Sequence, residues 1–135
     1  MGESAKHMEL VQMVRREVEA IVGVANAMLI LVDTPDSNEK VKVGKFCPDV
    51  FFRYDKILAI GEAKTLDDFS RSHSNEQFEA YLTECNLFEG AAVLVASVPW
   101  QLAATAKNYF RRLRRKFGTK TRIVVLDDTK WRWEV

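Results

Sequence analysis

The sequence has little cysteine, little net charge and no long apolar run, and each shortage excludes a class of protein. Only two cysteines, Cys47 and Cys85, occur among the 135 residues, and they lack metal-ligand spacing. We therefore expect both cysteines to be reduced core residues of a cytosolic protein, and we expect neither a disulfide framework nor a zinc site. No stretch resembles a signal peptide or a membrane span, which predicts a cytoplasmic protein without membrane contact.

The charges are balanced as well. The chain has 20 Lys and Arg residues and 19 Asp and Glu residues, which gives a net charge of +1. This balance gives no global argument for nucleic-acid binding, so a basic surface must come from local segregation of charge. Internal repeats, low-complexity segments and Gly/Ser linkers are also lacking, so we expect residues 1–135 to form a single domain.

What the chain does have is charge inside two apolar strands. The pattern predicts one strand over 50–54, opened by Asp49, and a second over 57–64, which Glu62 and Lys64 close. Because side chains alternate along a strand, Glu62 and Lys64 point to the same face. Charge in strands that should be buried requires a reason.

The register of this hairpin decides whether the two carboxylates meet. A two-residue loop at Tyr54 and Asp55 places Asp49 opposite Ile60, which makes Glu62 its diagonal neighbour on the same face. A three-residue loop would instead turn Asp49 to the other face unless a bulge corrected it.

With the first register, the hairpin predicts a metal site. The carboxylates of Asp49 and Glu62 and the carbonyl of Ala63 form a hard oxygen site suited to Mg²⁺, with Mn²⁺ as a substitute. Lys64 beside them would orient or activate a water, or stabilise charge developing on a phosphate.

These residues carry a resemblance. Pro48-Asp49 followed by Glu62-Ala63-Lys64 on the next strand resembles the signature of the PD-(D/E)XK nuclease superfamily, which includes restriction endonucleases and Holliday-junction resolvases. The resemblance implies an α/β fold in which helices flank a mixed central β-sheet, with a restriction-endonuclease-like core in the order α-β-β-β-α-β-α-β. It also implies a metal-dependent endodeoxyribonuclease. An appended DNA-recognition domain is not part of the pattern, which leaves the choice of substrate open.

The resemblance also implies an acidic residue on the first helix. Apolar spacing predicts that helix over 2–22, with Glu3 and His7 on or near its inward face. Glu3 is our preferred catalytic candidate there, and Glu17 and Glu19 come next. The alternative is that Glu3 caps a frayed terminus and His7 is an ordinary boundary histidine.

A glutamine on the helix after the acidic-x-Lys strand is a further feature of the superfamily. Gln77 matches it on a helix predicted over 75–88, where His73, Gln77 and Tyr81 step along one edge. We expect Gln77 to join the site, with His73 and Tyr81 as weaker candidates. As ordinary residues, Gln77 would be solvated and His73 would lie at the helix start.

The remaining chain predicts further strands and one long helix. The apolar run 27–32 predicts a central strand, 41–46 a short strand and 65–75 a loop. Further on we expect buried strands over 91–98 and 121–126, a helix over 99–117 and an aromatic edge strand over 131–135.

The long helix carries the strongest segregation of charge. Lys107, Arg111 and Arg115 form an i, i+4, i+8 row within a basic cluster. A solvated helix face is the commoner explanation of such a row. Contact with a phosphate backbone is the sharper hypothesis, and the three residues are our candidates for nucleic-acid binding.

Taken together, the residues favour a Mg²⁺-dependent endonuclease that hydrolyses phosphodiester bonds of nucleic acid, with DNA as the favoured substrate. One alternative is a non-cleaving module of the same fold that binds nucleic acid or protein, and another is a nuclease subunit active only in a larger complex. A purely structural ion-pair network is the third. Because one domain cuts one strand, a homodimer or a partner protein would supply double-strand cleavage and substrate specificity.

Overall fold

A six-stranded mixed sheet forms the centre of the molecule, in a computed structural model that describes residues 4–37, 40–69 and 72–135. The spatial order of the strands follows their order in the chain. The strands are β1 (Leu31–Val32), β2 (Val50–Tyr54), β3 (Ile57–Ala63), β4 (Ala91–Val98), β5 (Arg122–Asp127) and β6 (Arg132–Glu134). The predicted α/β class and mixed sheet are confirmed.

Helices cover both faces of this sheet. They are α1 (Ala5–Val22), the short α2 (Leu66–Phe69), α3 (Ser72–Leu87) and α4 (Ala103–Phe117), with 3-10 turns over Val24–Leu29 and Trp100–Leu102. The buried side chains of α3 and α4 pack on one face against Leu58 and Ile60 of β3, whereas α1 packs on the other face against Ala59 and Ala63. The alternation predicted for β3 is therefore confirmed.

Strand direction sets which ends of the strands meet. β1, β2 and β3 form an antiparallel meander, β3, β4 and β5 run parallel, and β6 returns antiparallel to β5. Each parallel step needs a crossover, which α3 and α4 provide on the same face. The carboxyl ends of β3, β4 and β5 and the start of β2 thus lie at the same end of the sheet.

Close approach of α1 to β3 depends on Gly61. A Cβ atom at this position would lie 2.2 Å from Cγ1 of Val14 and 3.3 Å from Cβ of Val50. The glycine therefore lets α1 settle on the strand that carries Glu62.

We expect Gly61→Ala to lower the free energy of unfolding by about 1–3 kcal/mol, because overpacking displaces α1. Denaturant unfolding of the single variant and of Gly61→Ala in a Val14→Ala background measures this. The cost should shrink in the second background, where the clashing methyl is gone. Equal costs in the two backgrounds would contradict the close approach.

Two strand predictions are wrong. The run 27–32 is not a central strand: its first half belongs to the 3-10 turn, and only Leu31 and Val32 pair, at the edge of the sheet. Met28 is 88% exposed, so apolar composition alone misled the assignment. Within 41–46, Val43 and Phe46 form an isolated bridge around a tight turn in which Gly44 has a φ of 61°.

Most of the other elements lie close to their predicted positions, but α4 begins at Ala103, four residues after the predicted start, because a 3-10 turn precedes it. β4 spans the predicted 91–98, β5 and β6 differ from prediction by one or two residues, and β6 is an edge strand. The predicted loop over 65–75 is partly wrong, because α2 forms within it and α3 begins at Ser72. Both cysteines are free, with Cys85 buried and Cys47 half-buried. None of the helices in the described residues is long and apolar enough to span a membrane.

Candidate active site

The predicted carboxylates meet at the open end of the β2–β3 hairpin, opposite its loop. Val50 pairs with Gly61, so continuing the register by one residue places Asp49 opposite Glu62. The loop consists of Asp55 and Lys56 rather than Tyr54 and Asp55, and Asp55 adopts a φ of 55° that aspartate tolerates. The predicted diagonal arrangement is therefore wrong: the register differs from the prediction by two residues, and the true register brings the two side chains closer.

Asp49 is tied to the adjacent strand. Its Oδ2 accepts a hydrogen bond of 2.9 Å from the backbone N–H of Ala63. A strand residue presents its N–H and its carbonyl to the same neighbour, so the Ala63 carbonyl is also directed toward the side where Asp49 lies. The three predicted oxygen donors thus converge at the end of this hairpin.

Glu62 is held in an environment that disfavours its charge. Only 4% of the residue is exposed, and burial raises its pKa well above the usual range, with the charge of Asp49 adding to the rise. The charge of Lys64 and a hydrogen bond from Tyr81 act in the opposite direction, but they do not cancel it. A cation placed between the two carboxylates would relieve this cost.

Tyr81 fixes the orientation of Glu62. The fully buried Tyr81 hydroxyl donates a hydrogen bond of 2.8 Å to Glu62 Oε1. Burial, followed by the charge and hydrogen bond of Glu62, raises the pKa of Tyr81, so the phenol stays protonated and keeps donating. Sequence reasoning ranked Tyr81 low, and its position one turn after Gln77 was the only signal.

Lys64 and Gln77 form the second pair of the site. The Lys64 ammonium donates a hydrogen bond to Gln77 Oε1, and its Nζ lies 3.7 Å from Glu62 Oε2. Lys64 is 6% exposed and Gln77 is 8% exposed. The structure therefore brings Gln77 to the lysine of the motif, as the resemblance implied.

The first helix supplies a histidine. Ser4 caps α1, with its hydroxyl accepting a hydrogen bond from the backbone N–H of His7. Nε2 of His7 lies 3.5 Å from Asp49 Oδ2. The sequence placed His7 on or near the inward face, with an ordinary boundary histidine as the alternative. Glu3 lies outside the described residues.

The other acidic candidates of α1 face elsewhere. Glu17 pairs with Arg132 at 2.9 Å, and Glu19 pairs with Arg15 at 3.5 Å. Glu17 also lies ten residues beyond His7, which is about 15 Å along the helix axis. Neither residue reaches the carboxylate pair.

The basic row of α4 lies apart from the carboxylates. Nζ of Lys107 sits 4.0 Å from the ring centroid of Trp133 on β6, and Arg111 donates to Asn108. Arg111 and Arg115 are exposed. Since β6 is three strands from β3, Trp133, which Lys107 contacts, lies about 14 Å from β3 across the sheet.

The donor set suits Mg²⁺ better than a transition metal. Within the described ranges, no three His, Cys, Asp or Glu side chains are grouped so that they could hold a metal ion. Mg²⁺ requires less than that, because it keeps several waters and is commonly bound through one or two carboxylates. Asp49, Glu62 and the Ala63 carbonyl fit that requirement.

Comparison with known proteins gave no match to a protein-family model, to a curated protein or to a solved structure. Function is therefore inferred from the geometry of the site.

Proposed function

We propose that this chain is a Mg²⁺-dependent endonuclease of the PD-(D/E)XK type, which hydrolyses phosphodiester bonds of nucleic acid, DNA being the favoured substrate. The observation that carries the proposal is the buried trio of Asp49, Glu62 and Lys64 at one end of a hairpin, each less than 8% exposed. Burying three ionisable side chains costs stability, and such groups cluster where chemistry requires them.

The element order supports the same proposal. A first helix, an antiparallel meander of three strands, a helix, a parallel strand and another helix and strand follow one another, as the resemblance implied. Asp49 directly precedes the second strand of that meander, Glu62 lies near the end of the third, and Lys64 directly follows it. This placement supports the proposal, because it gathers the motif residues at one end of the sheet.

Asp49, Glu62 and the Ala63 carbonyl would hold the metal ion. When bound, Mg²⁺ supplies Lewis acidity and lowers the pKa of a coordinated water. The protein's own contribution is orientation: Tyr81 fixes Glu62 through Oε1, and Ala63 N–H fixes Asp49 through Oδ2. Both carboxylates are thus preorganised before any ligand arrives.

Lys64 is the residue placed to act on the substrate. An ammonium group has three donors, and Gln77 accepts from one of them. The others are suited to an attacking water or to a phosphate oxygen on which negative charge develops. Gln77 acts as a positioning residue, because it restricts where the ammonium can point.

Lys107, Arg111 and Arg115 would contact the backbone of a longer substrate at a distance from the cut. Since α4 carries them on the β6 side, they bear on affinity for long nucleic acid rather than on the reaction. Such contacts would make binding salt-dependent.

Cleavage of labelled duplex, single-stranded and four-way-junction DNA, and of RNA, tests the proposal. We expect the protein to cut DNA with Mg²⁺ or Mn²⁺, to stop in EDTA, and to lose activity in Asp49→Ala. Glu89→Gln, which changes an exposed acid in the turn before β4, is the matched control and should cut normally. A folded wild-type protein that cuts none of these substrates would support the non-cleaving module instead.

A further inference from the structure

One edge of α3 is lined by three side chains one turn apart, His73, Gln77 and Tyr81, which we call the α3 row. Tyr81 donates to Glu62, and Gln77 accepts from Lys64. Two members of the row therefore each hold one residue of the motif. His73 is the third member, and the proposed function has given it no role.

Exposure increases along the α3 row. Tyr81 is fully buried, Gln77 is 8% exposed, and His73 is exposed. Residues four apart on a helix have Cβ atoms about 6 Å from each other, so His73 lies one step beyond Gln77 toward solvent. At α3, the site therefore opens to solvent at His73, and a polymer substrate that reaches Lys64 on this side must pass the imidazole.

Phe46 supports the imidazole of His73. The two rings meet edge to face, with centroids 5.3 Å apart, and Phe46 also contacts the Tyr81 ring at 6.5 Å. Phe46 lies three residues before Asp49, so the segment that leads to Asp49 packs against the α3 row. This packing holds an exposed side chain in place, which reduces the entropy lost when it binds a ligand.

We propose that His73 binds the substrate backbone by donating a ring N–H to a phosphate oxygen of the nucleotide next to the scissile bond. The inference rests on the proposed function and specifies how that site receives its substrate. Lys64 is held by Gln77 at the scissile position, so His73, one turn farther out, meets a neighbouring phosphate. Its role is positioning, and it takes no part in the chemical step.

Two substitutions separate the donor of His73 from its packing. His73→Phe keeps an aromatic ring against Phe46 but has no donor, whereas His73→Gln keeps an N–H donor but loses the ring. A phosphate contact predicts that His73→Phe raises KM about 5–10-fold, the equivalent of one hydrogen bond, with kcat within about twofold. His73→Gln should recover most of the affinity. A packing role predicts the reverse order.

Equilibrium binding in EDTA supplies a readout that does not depend on cleavage. Fluorescence anisotropy of labelled duplex and single-stranded DNA should show the same loss for His73→Phe, and Lys56→Ala at the opposite end of β3 is the control. The chain has only two histidines, His7 and His73, so NMR can follow their ring signals separately. DNA should shift the signals of His73.

The outcomes separate this proposal from the proposed function. If wild type cuts DNA while His73→Phe matches it in KM and in binding, the assignment of His73 is wrong and the nuclease stands. A fall in kcat alone would overturn the positioning role in favour of a chemical one. If wild type neither cuts nor binds, the proposed function fails, and the role of His73 fails with it.

Discussion

Lys64→Met should reduce cleavage by about 10²–10⁴-fold in the protein that remains folded, the range typical of a lost proton-transfer or charge-stabilising group. Methionine fills much the same volume but has no donor for water or phosphate. The positive charge of Lys64 also lowers the pKa of Glu62, and the substitution removes that effect. Single-turnover cleavage at saturating Mg²⁺ measures the chemical step.

Lys56→Met is the matched control for this prediction. Lys56 lies at the other end of β3, in the exposed hairpin loop. The control should cut at the wild-type rate. Retention of wild-type activity within about threefold by a folded Lys64→Met protein would contradict the assigned role of the ammonium.

Glu62→Gln should abolish cleavage yet stabilise the metal-free protein at alkaline pH. Glutamine keeps an oxygen for the Tyr81 hydroxyl but carries no charge. Because burial and then Asp49 raise the pKa of Glu62 above its ordinary value of 4.5, wild type has its full stability below that pH. It loses stability as the pH rises through the raised pKa. The variant avoids this loss.

Thermal unfolding in EDTA at pH 5 and pH 8 measures the effect. At pH 8 the free energy of unfolding of the variant should exceed that of wild type by about 1–3 kcal/mol, the cost of one buried polar group left unsatisfied. The difference should be smaller at pH 5. Mg²⁺ at about 100 times its Kd should add about 2.7 kcal/mol to wild type. The ion should add much less to Glu62→Gln.

Glu89→Gln neutralises an exposed carboxyl group and serves as the control for the charge change itself. It should show the wild-type dependence on pH and on Mg²⁺. Equal stability of wild type and Glu62→Gln at both pH values, with equal responses to Mg²⁺, would show that the carboxylate pair is neither strained nor a metal site.

The hairpin shows how far local pattern determines structure. Its strands were predicted within one residue, because alternation of apolar and charged side chains is a local property. The predicted register was wrong by two residues, since more than one two-residue loop is compatible with the sequence around Tyr54 and Asp55. The choice of Asp55–Lys56 depends on a backbone conformation that composition does not specify.

The apolar run 27–32 shows the opposite case. Its residues resemble those of β4, yet β4 is buried between two neighbours while the run is a 3-10 turn ending in an edge strand. Apolarity predicts burial only when the rest of the chain can cover the segment. Whether the segment is covered depends on how α1 packs on the sheet, and a short stretch of sequence does not specify that packing.

The sequence by itself determined the mixed α/β class, most of the element bounds and the placement of Glu62 and Lys64 on one face, because all three follow from periodicity along the chain. Only the tertiary structure decided that Tyr81 holds Glu62, that His7 reaches Asp49, and that Lys107 lies toward the β6 edge of the sheet. These are contacts between residues distant in sequence. They depend on the order of the strands and on the faces that the helices cover, which local spacing does not encode.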